Sequence, residues 1–154
     1  MEKYITDLAN AIDAHFEVLP ANGLEEMDIP FYSTPVSAGF PSPAEEYLED
    51  RINLQQLLVA HPSATYFLKV RGDSMRDANL HEGDILVVDR SLKPRVNQII
   101  IGLLENEFTV KRLVKKQNQY YLQPENPAYP LIPLPETSGF QPWGVVTWCI
   151  HKVR

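Results

Sequence analysis

The chain has 154 residues, 44% of them hydrophobic, which is enough for one domain with a buried core. Its single cysteine, Cys149, excludes an internal disulfide, and its four histidines lack the spacing of metal ligands. No apolar run approaches the roughly 18 residues of a membrane span or resembles a signal peptide. The formal net charge of −6 differs from the positive charge typical of nucleic-acid-binding proteins, so we expect no direct sequence-specific DNA contact. Together these features predict a cytoplasmic protein with no metal and no cofactor.

The first 38 residues form an acidic arm. They contain seven acidic residues and one basic residue, whereas the 13 acidic and 13 basic residues of 39–154 cancel. Apolar residues recur in the arm at steps of three and four, which predicts a short amphipathic helix through Ile5, Leu8, Ala9, Ile12 and Phe16. Residues 24–41 have no sustained period and contain three prolines, so we expect them to lie extended over a surface.

The body begins with a short helix and continues as strands. Asn53 is a favourable N-cap for a helix over residues 54–59, which the His61-Pro62 pair ends. Turn signals then separate six runs of β-type pattern: Thr65–Val70, Ile85–Asp89, Gln98–Leu104, Phe108–Val114, Tyr120–Gln123 and Trp143–His151. Many short strands at this spacing predict a mainly β domain, built as a sandwich or in a barrel-like form.

Two residues of the body have the chemistry of a nucleophile and its base. Ser74 lies in the turn Gly72-Asp73-Ser74-Met75, and the predicted hairpin at residues 103–108 places Lys111 on its second strand. No His–Asp pair for a classical triad is evident, and lysine acts as a base only when burial lowers its pKa from about 10.4. Taken alone, the two residues are more typical of an ordinary turn serine and a solvated strand lysine.

A candidate substrate bond lies upstream, between Ala38 and Gly39 in Val36-Ser37-Ala38-Gly39-Phe40-Pro41. The methyl side chain before the bond would fit a shallow pocket, and the glycine after it allows the backbone to approach a nucleophile closely. Without a matching protease, an Ala-Gly pair in a loop has no special meaning.

These segments resemble the LexA-type family of serine–lysine autoproteases, and within it the UmuD-type subunits of error-prone polymerases. The resemblance covers about three quarters of the chain, and its matching segments are Gly39–Ala44, His61–Phe67, Gly72–Met75 and Glu107–Lys111. It implies that Ser74 is the nucleophile, Lys111 the general base, and the backbone N–H groups of Asp73 and Ser74 the oxyanion hole. The cut at Ala38–Gly39 would then divide an arm, 1–38, from an autoprotease and dimerisation domain, 39–154.

The resemblance also implies a cellular role and partners. We expect a homodimer whose cleavage is promoted by a RecA–single-stranded-DNA filament and whose processed form serves a UmuC-type translesion polymerase in the SOS response to DNA damage. The arm is longer than in UmuD-type proteins, and Ala38 replaces their usual cysteine, which is the LexA-type choice. Two alternatives remain open at this point: a LexA- or signal-peptidase-like protease acting on other proteins, and a non-catalytic interaction module with a vestigial dyad.

Overall fold

The computed structural model describes residues 18–20, 28–32, 38–39 and 49–153. The helix predicted through Ile5 to Phe16 lies outside these residues, as does most of the extended stretch 24–41. Within them, the strands are β1 (Val18–Pro20), β2 (Asp28–Tyr32), β3 (Glu49–Asn53), β4 (Thr65–Lys69), β5 (Ile85–Asp89), β6 (Ile99–Leu104), β7 (Glu107–Lys116), β8 (Gln119–Gln123), β9 (Ile132–Leu134) and β10 (Gln141–Ile150).

Eight of the strands form one antiparallel sheet. Its order is β1-β4-β5-β10-β6-β7-β8-β9, while β2 and β3 pair separately. The prediction of a mainly β domain is thereby confirmed. Each of the six predicted strands is present, with bounds that differ by one or two residues at some ends.

The central strands bury both of their faces, because two apolar clusters lie on opposite sides of the sheet. In β6, Ile101 belongs to the first cluster and its neighbour Ile100 to the second. In β7, Val110 belongs to the first cluster and Leu113 to the second. This explains why β5 and β6 appear in the sequence as continuous apolar runs and not as strict alternations. Cys149 lies half-buried in β10 and packs against the first cluster, where burial and the nearby carboxylate of Asp84 raise the pKa of its thiol to about 11.

The predicted hairpin before Lys111 is also present. It joins β6 to β7 through Glu105 and Asn106, which both adopt positive φ, 52° and 65°. A two-residue turn of this kind matches the right-handed twist of the strands it connects. Because Lys111 pairs with Ile100 across the two strands, its side chain lies on the face of the second cluster.

The short helix α1 (Leu54–Leu58) follows β3 directly and has the predicted cap. The Oδ1 atom of Asn53 accepts a hydrogen bond from the backbone N–H of Gln56 at 3.0 Å. No helix in the described ranges has the length and apolar character needed to cross a membrane.

We expect Asn53→Ala to lower the free energy of unfolding by about 1 kcal/mol, because an N–H at the start of α1 loses its acceptor. Urea unfolding followed by circular dichroism measures this change. Gln56→Ala is the matched control, since the cap bond uses only the backbone N–H of that residue. An unchanged midpoint for Asn53→Ala would show that the cap does not stabilise the domain.

Candidate active site

Ser74 lies in the tight connection that follows β4. The turn is possible because Gly72 has φ of +81°, a conformation that residues with a Cβ seldom adopt. A short 3₁₀ turn over Arg76–Ala78 follows the serine, and Met75 is 1% exposed within the first cluster. The buried Met75 therefore anchors the loop, and its neighbour Ser74 is left half-buried at the edge of the core.

Lys111 reaches this serine from β7. Its Nζ lies 3.0 Å from Ser74 Oγ, 2.9 Å from Thr109 Oγ1 and 2.9 Å from the carbonyl oxygen of Val110. The lysine is 8% exposed, and this burial lowers the pKa of its ammonium below the ordinary value. In the described part of the chain no carboxylate forms an ion pair with it.

The three oxygens around Nζ suit a neutral amine as well as an ammonium. A neutral amine has two N–H donors and one lone pair. The carbonyl of Val110 can only accept a hydrogen bond, and Thr109 Oγ1 can accept a second, which leaves the lone pair directed at the hydroxyl of Ser74. The arrangement can thus remove a proton from Ser74 once Lys111 is neutral.

The backbone N–H groups of Asp73 and Ser74 are available to a ligand. Among residues 49–153 neither group donates a hydrogen bond, although the carbonyl of Asp73 accepts one from the N–H of Arg76 at 3.2 Å. Free N–H groups beside a nucleophile can stabilise a developing oxyanion. Their role as an oxyanion hole stays a prediction.

The candidate substrate bond is not seated at the dyad in this structure. Ala38 and Gly39 are both exposed, and a Cβ built on Gly39 would have no atom within 4 Å apart from those of its chain neighbours. The bond lies in the connection between β2 and β3, which pair in antiparallel register from Asp28↔Asn53 to Tyr32↔Glu49. The structure therefore brings Ser74 and Lys111 together and leaves Ala38–Gly39 at the surface.

The structure contains two His–Asp pairs that no spacing in the sequence indicates. His61 Nδ1 lies 2.6 Å from Asp89 Oδ2, and His151 Nδ1 lies 2.7 Å from Asp84 Oδ1. Ser91 donates its hydroxyl proton to the carboxylate of Asp89, and among the described residues no hydroxyl is hydrogen-bonded to the imidazole of His61 or His151. A nucleophile must contact the base, so these pairs do not form a Ser-His-Asp triad.

Three further residues near the dyad, Thr109, Asn126 and Tyr129, had no role in the expectations drawn from the sequence. Thr109 could have been found from its position two residues before Lys111, which puts both side chains on one face of a strand. Asn126 and Tyr129 hold Asp73, the residue before the nucleophile, from a loop more than 50 residues away in sequence. No local pattern indicates that contact.

Comparison with known proteins gives consistent matches. The family model described as Peptidase S24-like matches residues 30–147. Protein MucA of Salmonella typhimurium is 48% identical over 120 residues, covering 77% of this chain and 82% of the relative. Protein SamA of Salmonella typhimurium is 42% identical over 137 residues, covering 89% and 95%. The LexA repressor of Paracidovorax citrulli is 38% identical over 134 residues, covering 87% and 59%.

Proposed function

Because this chain belongs to the Peptidase S24-like family, we propose that it is a serine peptidase whose substrate is its own arm, cut between Ala38 and Gly39. The membership confirms the resemblance to LexA-type autoproteases that the sequence indicated. The observation that supports self-cleavage most directly is the 3.0 Å contact between Lys111 Nζ and Ser74 Oγ in a buried setting. Ser74 is the nucleophile and Lys111 the general base.

The reaction begins when the arm docks with the carbonyl of Ala38 beside Ser74. Neutral Lys111 removes the hydroxyl proton, and Oγ forms a bond to the carbonyl carbon. The N–H groups of Asp73 and Ser74 donate hydrogen bonds to the oxyanion that develops there. The C–N bond to Gly39 then breaks, and the ammonium of Lys111 returns its proton to the leaving amine.

Water completes the reaction. Lys111 removes a proton from a water molecule, whose oxygen attacks the ester carbon; the bond to Oγ then breaks, and the ammonium of Lys111 returns the proton to Ser74. The products are residues 1–38 with a new carboxylate and residues 39–154 with a new amino group. Since Ala38 and Gly39 are exposed in this structure, the docked arrangement is a second state of the arm, and a partner that favours it would accelerate cleavage.

We assign the processed form to error-prone translesion synthesis in the SOS response. This assignment rests on the UmuD-type segments of the sequence and on identities of 48% and 42% to MucA and SamA. The partners that follow are a second copy in a homodimer, a RecA–single-stranded-DNA filament that promotes docking of the arm, and a UmuC-type polymerase. The setting is the cytoplasm.

Intact-mass measurement of the purified full chain tests the proposed cleavage. After incubation at alkaline pH we expect two new masses, those of residues 1–38 and 39–154. A chain that stays whole, or that is cut at another bond, contradicts the proposed function. Incubation with a RecA filament at neutral pH, compared with RecA alone, tests the partner that promotes docking.

Changing the cut site itself gives a further prediction. Ala38→Trp should slow cleavage by at least about a hundredfold, because an indole cannot occupy a pocket that accepts a methyl group and the bond is displaced from Ser74. Ala38→Ser is the matched control and should be cut at nearly the normal rate. If Ala38→Trp is processed as fast as the unchanged chain, the bond has been assigned wrongly.

A further inference from the structure

The loop that follows β8 holds the nucleophile turn through Asn126, which is 2% exposed. Its Nδ2 donates a hydrogen bond to the backbone carbonyl of Asp73 at 3.0 Å and lies 3.3 Å from Asp73 Oδ2. Its Oδ1 accepts a hydrogen bond from the N–H of Ala128 at 3.0 Å. A buried amide with partners on both sides is fixed in orientation, so it can fix what it contacts.

The carbonyl that Asn126 holds belongs to the same peptide unit as the N–H of Ser74. The C=O and N–H groups of a trans peptide point in opposite directions, and the described residues include no cis peptide bond. Holding the carbonyl of Asp73 toward Asn126 therefore directs the N–H of Ser74 to the opposite side. A rotation of this peptide would break the bond to Asn126 and turn the N–H away.

Tyr129 holds the other end of the same residue. Its hydroxyl donates a hydrogen bond to Asp73 Oδ1 at 2.6 Å, and the proximity of this carboxylate raises the pKa of the phenol, which therefore stays protonated. Asp73 is exposed, and its carboxylate is held by Tyr129 at Oδ1 and by Asn126 at Oδ2. Among the described residues this carboxylate makes no ion pair, so these hydrogen bonds are what restrain the side chain.

We infer that Asn126 and Tyr129 are positioning residues for the cleavage reaction, which orient the Asp73–Ser74 peptide so that the N–H of Ser74 meets the oxyanion. This inference rests on the proposed function and adds to it the second segment of the chain that the reaction needs. Asn126 orients the peptide directly, and Tyr129 restrains the residue that carries it. Loss of either should lower the rate of the chemical step without changing the identity of the base.

Two substitutions test this in the full chain. Asn126→Asp keeps an oxygen that can accept the hydrogen bond from the N–H of Ala128, but it replaces the N–H donor that faces Asp73 with a second carboxylate oxygen. We expect this variant to cleave about tenfold to a hundredfold more slowly. Tyr129→Phe removes one hydroxyl at a residue that is 43% exposed, so it should fold normally and slow cleavage about threefold to tenfold. Tyr120→Phe is the matched control, since Tyr120 is 42% exposed and lies on β8 against Lys115, and its rate should not change.

The pH profile separates positioning from general loosening of the domain. Positioning predicts that Tyr129→Phe, which adds no charge, lowers the maximum rate and leaves the midpoint of the profile where it is. Asn126→Asp adds a carboxylate near Lys111, so for this variant only the maximum rate is compared. Loosening would admit water to Lys111, raise its pKa and move the midpoint upward, which would overturn the inference. Thermal unfolding of each variant fixes a temperature at which all chains are folded.

Reaction of Ser74 with a fluorophosphonate separates positioning from docking of the arm. The serine oxygen replaces fluoride on phosphorus and the N–H groups bind the phosphoryl oxygen, so the arm takes no part. Slower labelling of Asn126→Asp and Tyr129→Phe supports the inference, whereas normal labelling with slow cleavage overturns it. If the variants cleave as fast as the unchanged chain, only this inference fails; if the unchanged chain does not cleave at all, the proposed function fails first.

Discussion

Ser74→Ala and Lys111→Ala should each slow self-cleavage by about a thousandfold or more, leaving the full chain as the only mass after prolonged incubation. The first substitution removes the proposed nucleophile, Oγ of Ser74. The second removes the only base within hydrogen-bond distance of that atom among the described residues. A nucleophile and its base act together, so each single substitution should lower the cleavage rate nearly as much as both substitutions combined.

Matched substitutions make this result specific. Lys111→Arg keeps a long cationic side chain but cannot supply a neutral base, so it should be as inactive as Lys111→Ala. Lys115→Ala removes an exposed lysine from the same strand and should be cut at the normal rate. Thermal unfolding should confirm that every chain is folded. Cleavage of Ser74→Ala or Lys111→Ala at the normal rate would show that the dyad has been assigned wrongly.

Self-cleavage should accelerate steeply as the pH rises. Burial lowers the pKa of Lys111 below its ordinary value of 10.5, so the neutral amine forms at a lower pH than it would on an exposed lysine. Below the folded-state pKa, each pH unit raises the neutral fraction about tenfold, and the rate should follow it. Above that pKa nearly all of the lysine is neutral, and the rate should become constant. The midpoint of the pH profile should therefore lie below pH 10.5.

Rates of cleavage between pH 7 and pH 11, measured by intact mass, check this profile. The unfolding midpoint must be measured over the same range, so that rates from unfolded chain are not included. Thr109→Val is a useful comparison because it removes one of the oxygens that bind Nζ while keeping the shape of the side chain. Since that oxygen also stabilises the ammonium, its loss should move the midpoint to lower pH. A rate independent of pH would exclude Lys111 as the base.

Much of the fold follows from local pattern. The six predicted strands are present because β-branched and apolar runs bounded by turn residues have few alternatives. The hairpin before Lys111 was predictable from Glu105-Asn106, where asparagine tolerates positive φ. The cap at Asn53 was likewise predictable, since its partner is only three residues away.

The remainder depends on contacts between distant residues. β9 lies in a proline-rich segment that the sequence marks as a turn, and its pairing with β8 overrides that local preference. β2 contains Pro30, which is tolerated because β2 and β3 form a sheet of only two strands, where both strands are edges. The bonds from Asn126 and Tyr129 to Asp73 span 53 and 56 residues, a separation at which spacing in the sequence carries no information.

The pairing of β1 with β4 has a consequence for what cutting achieves. β1 lies before Ala38–Gly39, yet it is hydrogen-bonded into the main sheet from Val18↔Leu68 to Pro20↔Tyr66. While the chain is whole, the covalent connection makes the pairing of β1 with β4 intramolecular, so it does not depend on dilution. Once the bond is broken, the detached piece is an ordinary ligand whose retention falls on dilution. The two pieces should therefore stay paired through β1 and β4 for a time after the cut, before residues 1–38 dissociate. Loss of β1 would leave β4 as an open edge of the sheet, able to pair with a strand from another chain.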